Sequence, residues 1–207
     1  MVALGGMFFA APTQPASAQT YTWSGTSALW NTTNWITSSG TTTFPAGSSG
    51  TNTAIIDAGT VSFAQSDTFG NAATTSSPVI RIGSGGTLAS GGFFNSIWGM
   101  NLNGGTLLTN GGVSSSFGSF QLAGTLTVDG TTASSINLGG GSNNQINVGG
   151  NGNLTLTLDV ADVTSSTAAD LTIAPVLQNP TFGAGALTKT GAGTLILSAA
   201  NTYTGAT

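Results

Sequence analysis

Six aspartates are the side chains of this chain that could perform acid–base chemistry, and the sequence contains no His, Glu or Cys. These absences exclude a Ser-His-Asp arrangement and a thiolate metal site. Asp159 and Asp162 stand three residues apart at the end of an alternating apolar stretch, and Asp170 follows them. Two carboxylates about 5 to 9 Å apart can cleave a glycosidic bond. The three aspartates are therefore a candidate catalytic group acting on polysaccharides. The alternative is that they are solvated turn residues, since Asp is common in turns.

A metal or cofactor site has little support in the sequence. Calcium needs about six to eight oxygen ligands, and the Gly-Gly-x-Gly-x-Asp repeats that bind calcium in stacked turns are absent. We therefore expect no metal and no cofactor.

The charge of the chain limits its partners. Only 4% of the residues are charged, with two basic and six acidic side chains and a net charge of −4. Binding to nucleic acid requires clusters of Lys and Arg, whereas Arg81 and Lys189 are the only two and stand far apart. We expect no nucleic-acid partner. The hydrophobic content of 39%, combined with so little charge, also does not fit the composition of a disordered chain.

The first eighteen residues have the pattern of a secretory signal peptide. An apolar run from Val2 to Ala11 is followed by a small-x-small site that ends at Ala18, so cleavage would leave Gln19 as the first mature residue. No basic residue precedes Arg81, and we therefore expect the true start to lie upstream. The run is shorter than the ~20 residues that a membrane span needs. The sequence therefore predicts export, and it predicts no membrane span in this chain.

Residues 19–78 begin with a tryptophan cluster formed by Trp23, Trp30 and Trp35. Exposed indoles could stack on sugars and form a carbohydrate platform. The interpretation we favour is a cap that closes the open end of an elongated core, because stacked repeats need a terminal unit that covers their apolar side chains. We predict that 19–78 is a capping segment and loop.

Residues 79–207 are periodic. Leu88, Leu107 and Leu126 follow Gly-Thr dipeptides at intervals of nineteen residues. A shorter repeat begins at Ile136 and again at Ile146, where Ile-Asn segments stand ten residues apart. Repeats of about 20 residues are typical of solenoids, in which each coil buries its apolar face against its neighbours. We expect coils of about 19 to 20 residues, on the order of nine of them in the chain.

The local pattern within these repeats is that of strands. Leu and Thr alternate strictly from Leu154 to Leu158, and glycine pairs and Asn-Gly dipeptides mark turns. Short strands of about four to six residues follow. The predicted fold is all-β, a right-handed parallel β-helix or solenoid, with a β-sandwich as the alternative.

Paired threonines suggest one further binding mode. Thr125 with Thr127, and Thr155 with Thr157, lie on one face of a strand, as in solenoids that bind ice or another ordered surface. Because Thr87 and Thr106 lack the second member, the pairs do not recur through the sequence, and we rank this mode below the others.

The last 21 residues, LTKTGAGTLILSAANTYTGAT, form one repeat unit. Gly191 and Gly193 allow a tight turn with positive φ, and Asn201 can satisfy backbone groups at the next corner. The stretch closely resembles the autotransporter-associated β-strand repeat, and the opening W-N-x-x-N-W resembles the start of such proteins. Ala199 and Ala206 stand where that repeat usually has Gly. The residues that carry the resemblance are Leu187, Lys189, Gly191, Gly193, Thr194, Leu195, Leu197, Asn201, Thr202, Tyr203, Thr204 and Gly205.

The resemblance implies an exported bacterial passenger segment at the cell surface, associated with the outer membrane, or extracellular. We expect a non-catalytic structural or adhesion role, with glycans or cell-surface proteins as partners. The chain is expected to be an N-terminal fragment that ends in a partial repeat, and exposed solenoid ends would favour self-association.

Overall fold

The computed structural model describes residues 18–44, 52–69, 77–150 and 154–207. Over these ranges the chain forms sixteen strands and no helix, and hence no helix long and apolar enough to cross a membrane. The strands are β1 (Thr20–Trp23), β2 (Ala28–Leu29), β3 (Trp35–Thr37), β4 (Gly40–Thr42), β5 (Thr53–Ser62), β6 (Val79–Ala89), β7 (Asn95–Asn103), β8 (Thr106–Thr109), β9 (Phe120–Val128), β10 (Ser134–Leu138), β11 (Ile146–Val148), β12 (Thr155–Val160), β13 (Leu171–Ile173), β14 (Leu177–Gln178), β15 (Ala186–Thr190) and β16 (Leu195–Leu197).

Strand pairing is mostly parallel, and the sixteen strands form one connected sheet. Among the named strands, only β3 pairs in the antiparallel sense, with β1 on one side and β4 on the other. The all-β prediction is confirmed, with a large, mostly parallel sheet. The antiparallel pairing between strands that a β-sandwich requires is found at this one end of the strand order, and elsewhere the described residues add only an isolated antiparallel bridge between Gly83 and Gly104.

The parallel pairings form three ladders. The first ladder runs β7–β9–β11–β14. The second runs β1–β5–β6–β7–β9–β12–β15, and the third runs β2–β5–β6–β8–β10–β13–β16. From β7 onward the chain visits the first, second and third ladder in that order, repeatedly, until β16.

Several long strands turn a corner between two ladders. In β9 the pairing shifts from the first ladder to the second on either side of Gly124, which has φ 69°. A side chain at this position would meet the carbonyl oxygen of Trp98. The corner therefore requires glycine for its backbone conformation and for the close approach of the neighbouring coil.

Apolar side chains stack in register inside the ladders. On the third ladder five consecutive register partners are each at most 1% exposed, and this column consists of Val61, Leu88, Leu107, Ile136 and Ile173. On the second ladder the equivalent column is fully buried and consists of Ile82, Leu102, Val128 and Val160. Each such side chain stabilises the fold by roughly 1.5–3 kcal/mol relative to exposure.

The predicted nineteen-residue coil is wrong in part. Leu88 and Leu107 are register partners on the third ladder, but the next partner of Leu107 is Ile136. Leu126 belongs to the second ladder, beside Met100. Register partners on the third ladder are between 19 residues (Leu88 to Leu107) and 37 residues (Ile136 to Ile173) apart. The spacing varies because loops of different lengths leave the ladders.

The ten-residue spacing between Ile136 and Ile146 is not a shorter coil repeat. Ile136 lies on the third ladder and Ile146 on the first, so the ten-residue spacing separates successive faces of the chain path and not successive coils. The second ladder contains seven strands, which span roughly 29 Å at ~4.8 Å per step. This is fewer than the nine coils expected.

Strand lengths also differ from the prediction. The longest strands, β5 and β6, have ten and eleven residues because each serves two ladders. The pairing of β5 with β6 is continuous apart from a register shift between Ile56 and Ala58. This pairing crosses residue 78, where we expect the capping segment to give way to the repeats.

Truncation of one stacked core residue tests the importance of the columns. Leu107→Ala removes a fully buried side chain that lies between Leu88 and Ile136. We expect the free energy of unfolding to fall by about 2–5 kcal/mol, because the neighbouring coils can collapse only partly into the cavity. Urea denaturation followed by circular dichroism measures the loss.

Leu138→Ala is the matched control, since Leu138 is 55% exposed. It should change the free energy of unfolding by no more than about 0.5 kcal/mol. Equal losses in the two variants would show that the column contributes no more than surface contact.

Candidate functional site

The candidate catalytic aspartates have different environments. Asp170 is fully buried. Its Oδ1 accepts hydrogen bonds from the backbone N–H groups of Val163 (2.9 Å) and Thr164 (2.8 Å), and its Oδ2 accepts one from Thr194 N–H (2.7 Å). The carboxylate therefore closes the loop that precedes β13 and ties it to the segment that precedes β16.

The pKa of Asp170 is lowered from its ordinary value. The hydrogen bond from the backbone N–H of Thr194 is the main cause, and bonds from Thr164 and Val163 act in the same direction against the effect of burial. All the N–H groups favour the ionised form, so Asp170 is a carboxylate committed to the backbone and does not have the raised pKa of a general acid.

The other two members do not share this arrangement. Asp159 is half-buried in β12, and its Oδ1 accepts a hydrogen bond from Thr190 Oγ1 (2.9 Å) across the second ladder. Asp162 is exposed. Asp159 and Asp170 thus each bind the following coil, and neither is hydrogen-bonded to another carboxylate in the contacts above.

Of the three remaining aspartates, two make side-chain contacts. Asp57 forms an ion pair with Arg81 (2.9 Å) across β5 and β6, and burial raises the pKa of Asp67. Asp129 accepts hydrogen bonds from Asn101 Nδ2 (2.6 Å) and Asn103 Nδ2 (2.9 Å). No group of three or more acidic side chains suited to a metal ion occurs within the described ranges.

The tryptophan cluster is buried. Trp23, Trp30 and Trp35 are 4%, 1% and 0% exposed, and the rings of Trp23 and Trp30 lie 4.9 and 4.8 Å from the ring of Trp35. Phe44 and Phe63 pack on the same group. Because none of the three indoles presents a free face to solvent, they do not form an exposed platform for sugars. They lie where the strand order ends in β1, β3 and β4.

The expected signal peptide, 1–18, lies outside the described residues except for Ala18, which is exposed. Beside it, the backbone N–H of Gln19 donates a hydrogen bond to Asn52 Oδ1 (3.0 Å), and its carbonyl accepts one from Thr53 N–H (2.9 Å). Within the described residues, the contacts of the second ladder begin at Gln19, and the predicted cleavage stays a prediction.

The repeat motif starts with an edge strand and a tight turn. Leu187 is buried in β15, and Gly191 has φ 75° as predicted. Gly193 does not have positive φ, contrary to the prediction. It is needed because a side chain there would meet the carbonyl oxygen of Ala161. Lys189 lies within β15, is exposed, and donates to the carbonyl of Gly191 (2.9 Å).

The second half of the motif packs back on the preceding coil. Leu195, Leu197 and Tyr203 are half-buried against the core. Asn201 Oδ1 accepts a hydrogen bond from the backbone N–H of Leu177 (2.8 Å), and the N–H of Thr202 donates to the carbonyl of Leu177 (2.9 Å). The predicted role of Asn201, which is to satisfy a backbone group at a corner, is confirmed.

The final residues of the motif contact Asn179. Asn179 Oδ1 accepts from the N–H groups of Thr204 (3.0 Å) and Gly185 (3.1 Å), and Asn179 Nδ2 donates to Thr204 Oγ1 (3.0 Å). Gly205 N–H donates to the carbonyl of Gly185 (3.0 Å). Tyr203 bonds through its hydroxyl to Thr207 Oγ1 (2.8 Å).

Columns of hydroxyl groups are a feature that sequence reasoning missed. On the second ladder Thr125, Thr157 and Thr188 are register partners on consecutive strands. On the third ladder a longer column contains Thr60, Thr87, Thr106, Ser135 and Thr172. The signal in the sequence was the Thr residues themselves, but their alignment depends on loop lengths that the sequence pattern did not give.

Charge removal at Asp170 tests its structural role. Asp170→Asn keeps the size of the side chain but turns one acceptor oxygen into an NH2 group, which then faces a backbone N–H donor. We expect the melting temperature at neutral pH to fall by several degrees, because buried donors lose their partner. Differential scanning calorimetry from neutral to acidic pH provides the measurement.

The pH dependence has a defined sign. Because the pKa of Asp170 is lower in the folded state, its contribution is fully present above the unfolded-state pKa of about 3.9 and is lost as the pH falls through the folded-state value. The difference in melting temperature between the native chain and Asp170→Asn should therefore become smaller in acid. Asp162→Asn, at an exposed position, is the control and should have the melting temperature of the native chain. A difference for Asp170→Asn that stays constant with pH would contradict the structural role of the ionised Asp170.

Comparison with known families identifies one segment. Residues 187–207 match the passenger-associated-transport-repeat family, which is the segment that the sequence motif singled out. No curated protein and no solved structure gives a match to the chain. The chain thus carries a passenger-associated transport repeat, and this repeat indicates an exported, autotransporter-associated passenger segment.

Proposed function

We propose that this chain is a non-catalytic segment of a cell-surface or secreted passenger, folded as a right-handed parallel β-helix that presents a surface for adhesion. The repeat match at residues 187–207 is the observation that carries the proposal. The recurrent order of the three ladders supports the helical path, and parallel strand connections are almost always right-handed. A β-helix extends far for its length and keeps its stability local to each coil.

The outer surface supports contact with neutral polar partners. The column of Thr125, Thr157 and Thr188 contains two exposed threonines and one half-buried one. With two basic and six acidic residues in the whole sequence, hydroxyl and amide groups dominate such a surface. Glycans or cell-surface proteins are the partners that suit it, and nucleic acid does not.

Two other roles fit the geometry less well. A polysaccharide-cleaving role needs two free carboxylates, whereas Asp170 is bound to three backbone N–H groups and Asp159 to Thr190. Binding to ice or another ordered surface needs a regular threonine array. The second column of the same face runs Thr127, Asp159, Thr190, so a carboxylate interrupts it.

Adhesion is tested with beads coated with the purified chain. We expect the beads to be retained on cultured cells or on glycan-coated surfaces more than albumin-coated beads are. Retention should change little between low and high salt, because screening affects only charged contacts. Counting retained beads under flow at both salt concentrations measures this.

Two results would count against the proposal. One is retention no greater than that of albumin-coated beads. The other is release of reducing sugar from a polysaccharide panel by the same preparation, if Asp159→Asn and Asp162→Asn abolish that release.

We further propose self-association through the exposed edge of the last coil. Strand β16 has one named partner, β13, and Ile196 in β16 is 45% exposed. Strand β15 is covered in part, because the backbone N–H of Leu187 donates to the carbonyl of Ala206 (2.9 Å). An open edge with an apolar side chain is a template for pairing with another chain. A further coil would cover the same edge in a longer chain.

Light scattering over a range of concentrations tests the edge. We expect the average molecular mass to rise with protein concentration. Ile196→Lys should suppress this rise, because a lysine on an edge strand opposes pairing. Leu138→Lys, at another exposed apolar position, is the control and should leave the rise unchanged. A concentration-independent monomer, or equal suppression by both variants, would rule out this edge.

A further inference from the structure

A groove lies between the loop that precedes β9 and the segment that follows β14. Its volume is about 350 Å³, which lies within the usual range of small-molecule sites. The buried Pro180 forms part of its wall. The polar residues that line it are Ser115, Ser116, Gln178, Asn179, Thr181 and Thr202.

The groove occurs at the end of a polar column on the first ladder. Gln121, Asn147 and Gln178 are register partners on β9, β11 and β14. Gln121 and Asn147 are buried, and Asn147 Nδ2 donates to the carbonyl of Ser116 (3.2 Å). The loop therefore covers the first members of the column, and Gln178 is the half-buried member that reaches the groove.

The two amides of the groove are held in place. Gln178 Nε2 donates to the carbonyls of Ser115 (2.8 Å) and Ser116 (3.2 Å) and to Asn147 Oδ1 (2.8 Å). Asn179 is fixed by Thr204 and Gly185 through the contacts described above. Groups that are already ordered lose little conformational entropy when a ligand binds.

The chemistry of the lining selects a class of ligand. None of the lining side chains is charged. An anion would call for Arg or Lys, and a hard cation would call for carboxylates. Hydroxyl groups can both donate and accept hydrogen bonds, and the amide oxygen of Gln178, whose Nε2 is already bonded within the protein, can accept them. They complement a ligand that carries many hydroxyl groups and no charge.

An exposed aromatic residue follows each wall of the groove in sequence. Phe117 comes directly after Ser116 and is 40% exposed, and Phe182 comes directly after Thr181 and is 68% exposed. The ring of Phe117 is steadied by an edge contact with Phe94, with centroids 5.3 Å apart. Neither ring lines the groove, but each belongs to the residue next to a lining residue, and an exposed ring offers an apolar face to a ligand.

We propose that this groove binds a neutral oligosaccharide, with sugar hydroxyls on the amide and hydroxyl groups and the apolar face of a sugar ring against Phe182 or Phe117. The inference rests on the proposed adhesion function and deepens it by naming the ligand class and the place. The tryptophan cluster, which is buried, takes no part.

Titration of the full chain with oligosaccharides of about five sugar units tests the proposal. The probes are cellopentaose, maltopentaose, mannopentaose and chitopentaose, with an oligogalacturonate as the anionic comparison, and calorimetry and ligand-observed NMR detect binding. We expect at least one neutral probe to bind and the anionic one to bind more weakly. Phe182→Ala should weaken the binding at least tenfold, and Thr202→Val should weaken it severalfold.

Leu138→Ala, an exposed apolar change outside the groove, should leave the affinity unchanged. Lack of binding by every neutral probe, preference for the anionic probe, or affinity that both groove variants leave intact would each overturn the proposal. A glycoprotein assayed before and after enzymatic removal of its glycans distinguishes protein-linked sugars from free polysaccharide as the source.

The two proposals fail in different ways. If coated beads adhere and Phe182→Ala beads adhere equally, adhesion stands and the groove is not its site. If the chain binds a neutral oligosaccharide but coated beads are not retained, the groove is a sugar site and the adhesion function fails.

Discussion

Register between parallel strands is the constraint on which this structure depends. Each strand of a ladder exposes a row of backbone N–H and C=O groups and a row of apolar side chains, and only the neighbouring strand can satisfy both. The column of Val61, Leu88 and Leu107 shows the result, since each residue is fully buried by neighbours that belong to other coils. A shift of one residue would turn such a column outward. The polar groups on the outer faces are aligned by the same register.

The register between strands also explains the contacts of two carboxylates. Asp170 and Asp159 each bond to a residue of the following coil, Thr194 and Thr190. These contacts connect coils at positions where a loop or a strand end would otherwise leave polar groups unpaired. In a chain with so few charges, Asp159 and Asp170 therefore serve to connect neighbouring strands.

The sequence was sufficient to predict strands, glycine turns and the repeat at residues 187–207, because these depend on local patterns. Alternation from Leu154 to Leu158 became β12, and Asn201 took the corner role that its type suggests. Coil length was not predictable in the same way. Leu126 follows a Gly-Thr dipeptide as Leu88 and Leu107 do, but it lies on the second ladder and they lie on the third. Loop length decides which strands pair, and it leaves no periodic signal in the sequence.

The candidate site shows a similar division. The aspartates could be found from their type, but only the structure shows that the oxygens of Asp170 are occupied by backbone N–H groups. The groove at Gln178 could not be predicted, since Ser115 and Gln178 stand 63 residues apart in the sequence. Phe117 and Phe182 gave a weak signal as aromatic residues in Gly- and Ser-rich segments, without any indication that their sequence neighbours Ser116 and Thr181 line one groove.

The scarcity of cationic side chains has a consequence for survival outside the cell. A protease that cleaves after Lys or Arg finds two such residues in the sequence. Arg81 lies in β6, which is paired on both sides, and Lys189 lies in β15, next to the turn at Gly191. Such a protease needs an extended, unpaired segment. The first bond is therefore protected by neighbouring strands, whereas the second lies in a strand with one named partner, β12, and is the more accessible of the two.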